Sequence, residues 1–405
     1  MKAFISCVAL FTLSAVAFAA DWPVFRGPDR NGISRESDLA ARLTAAPAAI
    51  WSIEVGDGLS AVSVARGRAY TMGHRSGKDT VWCLDAATGK VIWQYSYDAT
   101  ARSARPDYDG PRATPTVDGD TVFTLSRDGQ LFALDANGQP RWSVDVKRFG
   151  YAIPNWGFSG SPLVLGDRVI VNAGSAGLAV DRNSGNPIWH SPPGLAGYNT
   201  PTVYQHDGKP RLAFSNGEQI VSVDPADGRL VWQYPWPTPF RVNSADLIVT
   251  NGRLFVSSGY GYGSALLDIS SDKPSPVYQN KLMRNHFHTC MLIDGYLYGI
   301  DGDQQRPEGL KCMELASGQV RWHAPQVRYG GLIAAEGRLI IVTETGELVI
   351  AAASPEKYEE LARFKVLDGV CWTAPSLSDG RLYVRSRTGR VVCLELARAG
   401  QAAVR

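Results

Sequence analysis

Residues 83–93 read Cys-Leu-Asp-Ala-Ala-Thr-Gly-Lys-Val-Ile-Trp, and this stretch decides the fold. An apolar run is followed by a tight turn at Thr88-Gly89 and by a second run that closes on Trp93. Variants recur at residues 134–142, 180–189, 223–232 and 314–322, each with a turn glycine and a closing Trp. Self-similarity with a period of this size indicates a repeat architecture.

The closing aromatic residues allow the repeats to be counted. Spaced 42 to 49 residues apart, they are Trp51, Trp93, Trp142, Trp189, Trp232, Tyr278, Trp322 and Phe364. Each unit contains four short runs with alternating apolar residues and turns such as Asp118-Gly119, a pattern typical of β-hairpins. Four-stranded units of about 40–50 residues, arranged in a ring, form a β-propeller. The units that close on Tyr278 and Phe364 depart from the pattern, and we expect their blades to be irregular.

The two ends of the chain complete each other. Trp51 closes a unit whose first three strands do not precede it, whereas the last unit, at 372–396, lacks a fourth strand. We therefore predict an all-β, eight-bladed propeller of four-stranded antiparallel blades, closed by pairing the N-terminal strand with the C-terminal blade. The predicted boundaries are a signal peptide at 1–20, an extended N-terminal arm at 21–49, the propeller at 50–397 and a C-terminal tail at 398–405.

The N-terminal segment predicts export. An apolar run at 8–16 follows Lys2, and Ala17-Phe18-Ala19 matches a signal-peptide cleavage site. The run is shorter than the ~20 residues that span a membrane. Cys7 precedes the apolar run, which argues against a lipoprotein signal. We expect a periplasmic or secreted protein without a transmembrane segment.

Charge and cysteine content narrow the function further. Without Lys2, 40 basic residues face 39 acidic ones, so a basic stripe for nucleic-acid phosphates is not expected. Five cysteines remain after cleavage, an odd number that does not suit a disulfide framework. Cys290 and Cys371 fall two strands from the next cysteine of their repeats, about 9–10 Å away, whereas a disulfide needs Cα atoms within about 7 Å. Buried free thiols are the prediction.

Residues 21–34 form a Pro- and Gly-rich arm that no regular element accommodates. Trp22 and Phe25 are too apolar to remain in water, and we expect them to dock on the folded body. Two interpretations stay open, a partner-binding arm and a structural plug.

The Leu-Asp-x-x-x-Gly-x-x-x-Trp series resembles the pyrroloquinoline-quinone-type propeller repeat over residues 50–397. That family includes quinoprotein alcohol dehydrogenases and the BamB-type scaffold lipoproteins of outer-membrane assembly. The opening Trp22-Pro23-x-Phe25-Arg26-Gly27-Pro28 also resembles exported bacterial propellers without an assigned activity. The resemblance implies that each closing Trp packs against the Gly turn of a neighbouring blade, where a large ring buries ~200 Å².

The same resemblance implies what a quinoprotein site would need: a vicinal Cys pair, a calcium with Glu and Asn ligands, and an Asp base. The chain has no adjacent cysteines, and no Glu, Asn and Asp set can be mapped onto it. We therefore predict no cofactor and a non-enzymatic binding or assembly scaffold of the cell envelope, acting as a monomer. The alternative is a pyrroloquinoline-quinone- and calcium-dependent oxidoreductase that uses the propeller mouth.

Other chemical motifs are weak. Asp301-Gly302-Asp303 with Glu308 could bind calcium, although an acidic surface turn is the simpler interpretation. Residues 259–263, Gly-Tyr-Gly-Tyr-Gly, lack the Lys-Ser/Thr and the following helix of a phosphate-binding loop. They are interpreted as a hairpin turn. His286 and His288 alternate in a strand-like segment and could bind zinc, but no further ligand is evident. No metal site is predicted.

The segments that enter the innermost strands carry aromatic and hydrogen-bonding residues, and these segments converge at one end of a propeller. The predicted ligand-binding residues are Arg112, Asn155, Trp156, Tyr198, Asn243, His286, His288, Tyr329 and Trp372, with Tyr108, Asn199, Arg241 and Asn285 beside them. Such a mouth suits a polar small ligand, a sugar or a peptide, held by stacking and by Arg. The alternative is a packed plug in which these groups satisfy each other.

Overall fold

The computed structural model describes residues 20–99 and 110–396. The predictions for Cys7, the signal peptide up to residue 19, Tyr108 and the tail at 398–405 lie outside the described residues. No helix in the described ranges combines the length and the apolar composition that crossing a bilayer requires. The longest α-helix of these ranges is a single turn, α1 (Ala40–Leu43).

The described chain folds into eight antiparallel sheets, which confirms the predicted eight-bladed propeller. The arm and the first half of the ring contain β1 (Ile33–Ser34), β2 (Ala48–Glu54), β3 (Ser63–Ala65), β4 (Arg68–Arg75), β5 (Lys78–Asp85), β6 (Val91–Asp98), β7 (Thr116–Asp118), β8 (Thr121–Leu125), β9 (Gln130–Leu134), β10 (Pro140–Asp145), β11 (Leu163–Leu165), β12 (Arg168–Val171), β13 (Leu178–Asp181), β14 (Pro187–His190), β15 (Thr202–His206), β16 (Lys209–Ser215), β17 (Gln219–Val223) and β18 (Leu230–Pro235). Short 3-10 turns lie at Val146–Phe149 and Pro239–Arg241.

The second half of the ring continues the pattern from blade five to blade eight. Its strands are β19 (Ile248–Thr250), β20 (Arg253–Ser258), β21 (Gly263–Asp268), β22 (Ser275–Asn280), β23 (Met291–Ile293), β24 (Tyr296–Gly302), β25 (Pro307–Glu314), β26 (Val320–Ala324), β27 (Gly330–Ala335), β28 (Arg338–Thr343), β29 (Glu347–Ala352), β30 (Glu360–Lys365), β31 (Ser376–Ser378), β32 (Arg381–Arg385) and β33 (Arg390–Glu395). Each blade runs from an innermost strand at the channel to an outermost strand at the perimeter of the ring.

A strand's place in its blade explains its composition. The middle strand β8 is buried along its whole length because the neighbouring blades cover both of its faces. The outermost strand β6 is half-buried to exposed throughout, with the more buried residues at every second position. Its alternating residues face a neighbour on one side and water on the other.

The ring is closed by β2, which pairs antiparallel with β33 and completes blade eight. Trp51 lies opposite Cys393, and Glu54 lies opposite Arg390. The predicted closure by the two chain ends is therefore confirmed, with the strand beginning at Ala48.

At most seams between neighbouring blades, the closing aromatic residue contacts the turn of the next blade. Trp232 is an exception, since its indole donates to the hydroxyl of Tyr204 in its own blade. The indole Nε1 of Trp51 donates to the carbonyl oxygen of Ala86 at 3.0 Å. Gly89 lies beneath the ring with φ +70°, and a Cβ at this glycine would lie 2.7 Å from Trp51. The same arrangement recurs for Trp93 with Gly138, Trp142 with Gly185, and Trp189 with Gly228. These contacts confirm the packing that the repeat resemblance implied.

The two atypical units each form four antiparallel strands in the regular order, with β1 added in parallel to blade seven, so the expectation of irregular blades is wrong. In blade five, the hydroxyl of Tyr278 donates to the carbonyl oxygen of Leu315 at 3.0 Å, and its ring covers Gly318. A phenol thus replaces the indole. The corresponding turn of blade seven lacks a glycine, and Trp322 of blade six donates to the carbonyl oxygen of Ser354 in that turn.

The arm at 21–34 crosses the central channel. Trp22 forms a bridge with Val64 of blade one, and the backbone N–H of Val117 in blade two donates to the carbonyl oxygen of Pro23 at 2.8 Å. At the far side, β1 pairs in parallel with β27 of blade seven. Trp22 is only 2% exposed, and a Cβ at Gly27 (φ +78°) would collide with its ring. The arm therefore closes the channel as a structural plug.

The described cysteines are free and buried, as predicted from their strand positions. They are Cys83, Cys290, Cys312, Cys371 and Cys393.

Candidate functional site: the mouth cavity

The segments that lead into the innermost strands enclose a cavity of about 820 Å³, which we call the mouth cavity. It lies within the range of about 300–1,000 Å³ that small-molecule sites occupy. Seven of the nine predicted ligand-binding residues line it: Arg112, Asn155, Trp156, Tyr198, His286, His288 and Trp372. Residues from separate blades are thus brought together around open space. A sealed plug does not fill this end of the channel.

Asn243 and Tyr329 do not line the cavity, and both lie behind its wall. The side chain of Asn243 donates to the carbonyl oxygen of Asn216 at 2.8 Å and accepts from the hydroxyl of Ser258. The hydroxyl of Tyr329 lies 3.3 Å from Nδ1 of His286. Both side chains support the wall from behind, and their direct contact with a ligand stays a prediction.

The three described residues that were predicted beside these nine make contacts within the protein. Asn199 accepts from the amide of Asn172, and Asn285 donates to the carbonyl oxygen of Ile300. Arg241 extends outward to Glu218, with 3.4 Å between Nη2 and Oε1.

The N-terminal arm supplies the floor of the mouth cavity. Phe25 lines the cavity, and the adjacent Arg26 reaches to within 3.9 Å of the buried carboxylate of Asp246. Arg26 also donates to the carbonyl oxygen of Cys290 at 3.0 Å. Burial raises the pKa of Asp246 and lowers that of Arg26. The floor therefore combines the aromatic ring of Phe25 with a buried ion pair between the arm and the segment before β19.

A continuous aromatic wall runs from the rim to the depth of the cavity. Phe240 meets Tyr260 edge-on at 5.2 Å between ring centroids, and Tyr260 meets His286 edge-on at 4.5 Å. His286 stacks on Phe287 at 4.0 Å, and Phe287 lies 5.8 Å from Trp372. These rings come from the β20–β21 turn and from the segments that lead into blades five, six and eight, and they offer apolar faces to a ligand.

His286 and His288 are buried and uncharged at neutral pH. Burial lowers the pKa of each imidazole to about 4, and for His288 the nearby His286 lowers it further. Asp303 and the side chain of Gln304 act in the opposite direction on His286. His286 and His288 lie in a bent loop before β23, so the prediction of a strand-like segment is wrong. Both imidazoles nevertheless line the cavity.

The rim carries a conformationally unusual pair of residues. Phe240 and Arg241 have φ values of 60° and 58°, in the left-handed region that non-glycine residues rarely adopt. This backbone holds the Phe240 ring 72% exposed above the cavity. Strain of this kind concentrates where a binding surface must be shaped.

The structure adds lining residues that sequence reasoning missed. Phe25, expected only to dock on the folded body, and Tyr260, expected only in a hairpin turn, both line the cavity. Gln304 gave no signal in the sequence. Asp246 lies two residues before the innermost strand β19, so the position that identified Arg112 could also have identified Asp246.

The acidic segment at 301–303 is a buried ion cluster, so its interpretation as a surface turn is wrong. Asp301 is fully buried and pairs with Arg284 at 2.6 Å and with Lys311. These cations hold the pKa of Asp301 below its ordinary value against the effect of burial. Residues 259–262 do form the hairpin turn between β20 and β21, with the N–H of Tyr262 donating to Gly259.

Comparison with known proteins agrees with this architecture. The PQQ_2 family, described as outer membrane protein assembly factor BamB, matches residues 36–147 and 106–324. The chain belongs to this family. No curated protein matches the sequence.

Among solved structures, BamB from Moraxella catarrhalis has a TM-score of 0.65 and 18% identity, covering 86% of this chain and 100% of that one. Quinohemoprotein alcohol dehydrogenase from Comamonas testosteroni has a TM-score of 0.69 and 16% identity, covering 95% and 82%. A europium-containing methanol dehydrogenase has a TM-score of 0.67 and 14% identity, covering 91% and 90%. At these identities the likeness establishes the fold alone.

The quinoprotein resemblance implies a quinone with calcium, and the residues of the mouth cavity do not fit that pair. Calcium takes about six to eight oxygen ligands, many of them carboxylates. Among the described lining residues, Asp246 is the single carboxylate, and it is engaged by the N–H of Thr200 at 2.8 Å and by Arg26. In the described ranges no group of three or more His, Cys, Asp or Glu residues could hold a metal ion.

Proposed function

We propose that this protein is an exported, non-enzymatic binding propeller of the cell envelope, and that its mouth cavity takes a polar ligand. The observation that carries the proposal is a cavity of about 820 Å³ with an aromatic wall and a floor made by the chain's own arm. A largely pre-formed, mostly apolar cavity with a few polar groups is the general form of a ligand site.

The chemistry of the lining favours binding over catalysis. Arg112 and Asp246 are the charged groups among the described lining residues, and Asp246 is paired with Arg26. Hydrolysis or proton transfer needs a nucleophile or base with an activating partner. The two buried imidazoles contact aromatic rings instead of a Ser, Cys or carboxylate nucleophile.

Thermal unfolding with a library of polar metabolites, sugars and short peptides tests the proposal. A ligand that binds only the folded protein raises the melting temperature in proportion to its concentration. The shift should disappear in Trp156→Ala, which removes a cavity wall, and persist in Val91→Ala on the outer strand β6. A mouth site would be refuted if no compound of the library raised the melting temperature of the wild-type protein, or if a compound raised it equally in both variants.

Export is tested separately by fractionating cells that produce the full chain with residues 1–20 intact. The processed protein should appear in the periplasm or the medium. Retention of the unprocessed chain inside the cell would contradict this part of the proposal.

The oxidoreductase alternative has its own assay. The purified protein, supplied with pyrroloquinoline quinone and calcium, should show no saturable fluorescence quenching and should reduce no dye with alcohols. Saturable quinone binding that depends on calcium would replace the binding function by the oxidoreductase one.

A further inference from the structure

We propose that the ligand of the mouth cavity is a neutral carbohydrate, a short oligosaccharide that stacks on the aromatic wall and pairs its hydroxyl groups with His286, His288 and Gln304. This inference deepens the binding function proposed above and rests on it. It names the chemical class that the unsatisfied groups and the wall would recognise together.

The first argument comes from polar atoms that folding leaves unsatisfied. His286 and His288 are 3% and 7% exposed, and Nε2 of each has no hydrogen-bond partner among the described residues. A buried polar atom without a partner costs about 1–3 kcal/mol. Other such atoms occur elsewhere in the described chain, but those of His286, His288 and Gln304 belong to residues that line one cavity. Both imidazoles line the mouth cavity, so a ligand there could supply the missing partners.

The second argument is the relation between His286 and Gln304. The side chain of Gln304 lies beside His286, where its interaction with the imidazole raises the pKa of His286 against the effect of burial. The contact does not have the geometry of a full hydrogen bond, so Nε2 of His286 and Oε1 of Gln304 both lack a well-formed partner among the described residues. A hydroxyl group both donates and accepts, and can therefore serve an imidazole and an amide oxygen at once. A carboxylate accepts only, and an ammonium donates only.

The third argument is the shape and apolar character of the wall. Tyr260, Phe287 and Trp372 present rings to the same cavity as the two imidazoles. The apolar C–H face of a sugar ring packs on an aromatic face while its equatorial hydroxyl groups reach polar atoms at the edges. Amphipathic aromatic residues suit a ligand that is apolar on one face and wet on the other.

The fourth argument is charge. Of the two charged residues in the described lining, Arg112 donates to the carbonyl oxygen of Gly110 at 3.2 Å, and Asp246 is held by Arg26. Such a lining offers no cluster of cations for an acidic ligand. It also lacks the pair of carboxylates that glycosidases use to cleave a glycosidic bond. The site therefore binds a carbohydrate and releases it unchanged.

The experiment measures binding of neutral oligosaccharides of glucose, galactose, mannose and N-acetylglucosamine to the full mature chain, by tryptophan fluorescence and by calorimetry. Oligogalacturonates and uncharged tripeptides serve as comparison probes. The variants are Gln304→Met, which removes the amide at similar volume, and His288→Phe, which keeps an aromatic ring. His323→Asn in the outer strand β26 of the same blade is the control, and unfolding curves establish that each variant is folded.

The expected result is saturable binding of at least one neutral oligosaccharide, weakened about tenfold or more in Gln304→Met and His288→Phe, as loss of a buried hydrogen bond predicts. His323→Asn should bind like the wild type. Binding of oligogalacturonates or tripeptides alone, lost in the same variants, would overturn the carbohydrate assignment and leave the mouth as a binding site. Failure of every probe in this panel and in the metabolite library would overturn both proposals.

Discussion

The seams between blades and the mouth cavity use the same residue types in opposite ways. At the seam of blades eight and one, Trp51 covers Gly89 and donates its N–H to Ala86, so that every polar atom of the indole is paired. At the mouth, His286 stacks in an aromatic wall yet keeps an Nε2 without a partner among the described residues. The comparison shows that the fold itself satisfies Trp51, whereas His286 lacks a partner that a ligand in the mouth cavity could supply.

The largest expected effect tests the closed ring itself. A chain that starts at residue 60 loses β2 and leaves β33 as an open edge in blade eight. It should aggregate or lose cooperative unfolding, whereas a chain that starts at residue 21 should remain soluble, as gel filtration and thermal unfolding would measure. A soluble truncation at 60 with an unchanged melting temperature would contradict closure by β2.

The seam can be probed with two glycines of the same backbone conformation. Gly89 and Gly67 have φ values of +70° and +71°, but a Cβ at Gly89 meets Trp51, whereas a Cβ at Gly67 meets nothing within 4 Å. Gly67→Ala should cost about 1 kcal/mol from the backbone alone. Gly89→Ala should lower the free energy of unfolding by about 1–3 kcal/mol more than Gly67→Ala does, because the indole of Trp51 must move.

Chemical denaturation of both variants measures this difference. Equal free energies of unfolding for Gly67→Ala and Gly89→Ala would mean that the Trp–Gly contact contributes nothing beyond the turn. The closing aromatic residues would then not stabilise the seams through this contact.

The imidazoles of the mouth predict a pH dependence of stability. The pKa of each is about 4 in the folded protein, below the ordinary value of about 6.5 in an unfolded chain. The unfolded state therefore binds more protons between these values, and stability is fully present above about pH 6.5 and falls towards pH 4. The loss of stability over this pH range is at most on the order of 3 kcal/mol for each imidazole. The charge of Asp303 and the hydroxyl of Tyr329 also act on His286, the former by raising its pKa.

The readout is the difference between the wild type and His286→Asn/His288→Asn, since buried Asp301 also contributes to acid sensitivity. The free energy of unfolding of the variant should fall less steeply between pH 6.5 and 4. Parallel curves for the two proteins would show that the imidazoles are not held neutral by burial.

The smallest effect on stability is expected at the rim. Phe240 is mostly exposed and has a φ of 60°, so Phe240→Gly removes backbone strain of about 1–3 kcal/mol while increasing the freedom of the unfolded chain. The melting temperature should stay the same or rise slightly, whereas mouth ligands should bind more weakly. A clear loss of stability would mean that Phe240 belongs to the fold, as Trp51 does.

The fold was predictable because each blade repeats a local pattern that physics interprets in one way. The Thr88-Gly89 turn and Trp93 define a hairpin, and Trp51 without preceding strands defines the closure. The expectation drawn from Tyr278 and Phe364 was wrong, because a phenol can replace the indole donor and a blade tolerates the loss of its turn glycine.

The site was predictable only in part. Position before an innermost strand identified Arg112, Trp156 and His286, since such segments converge on the channel. Phe25 and Tyr260 reach the cavity by other routes, the first through an arm that crosses the channel and the second from a hairpin turn. Long-range contacts of this kind leave no periodic pattern in the sequence.

Site-specific photo-crosslinking in living cells tests most directly that the mouth is where the protein meets its ligand. A benzophenone amino acid replaces Phe240 at the rim of the cavity or, as the matched control, the exposed Val277 on the outer strand β22. After irradiation, mass spectrometry of the purified protein should find a defined ligand adduct at position 240 and none at position 277. Adducts at position 277 alone, equal adducts at both positions, or none at either would contradict a functional mouth.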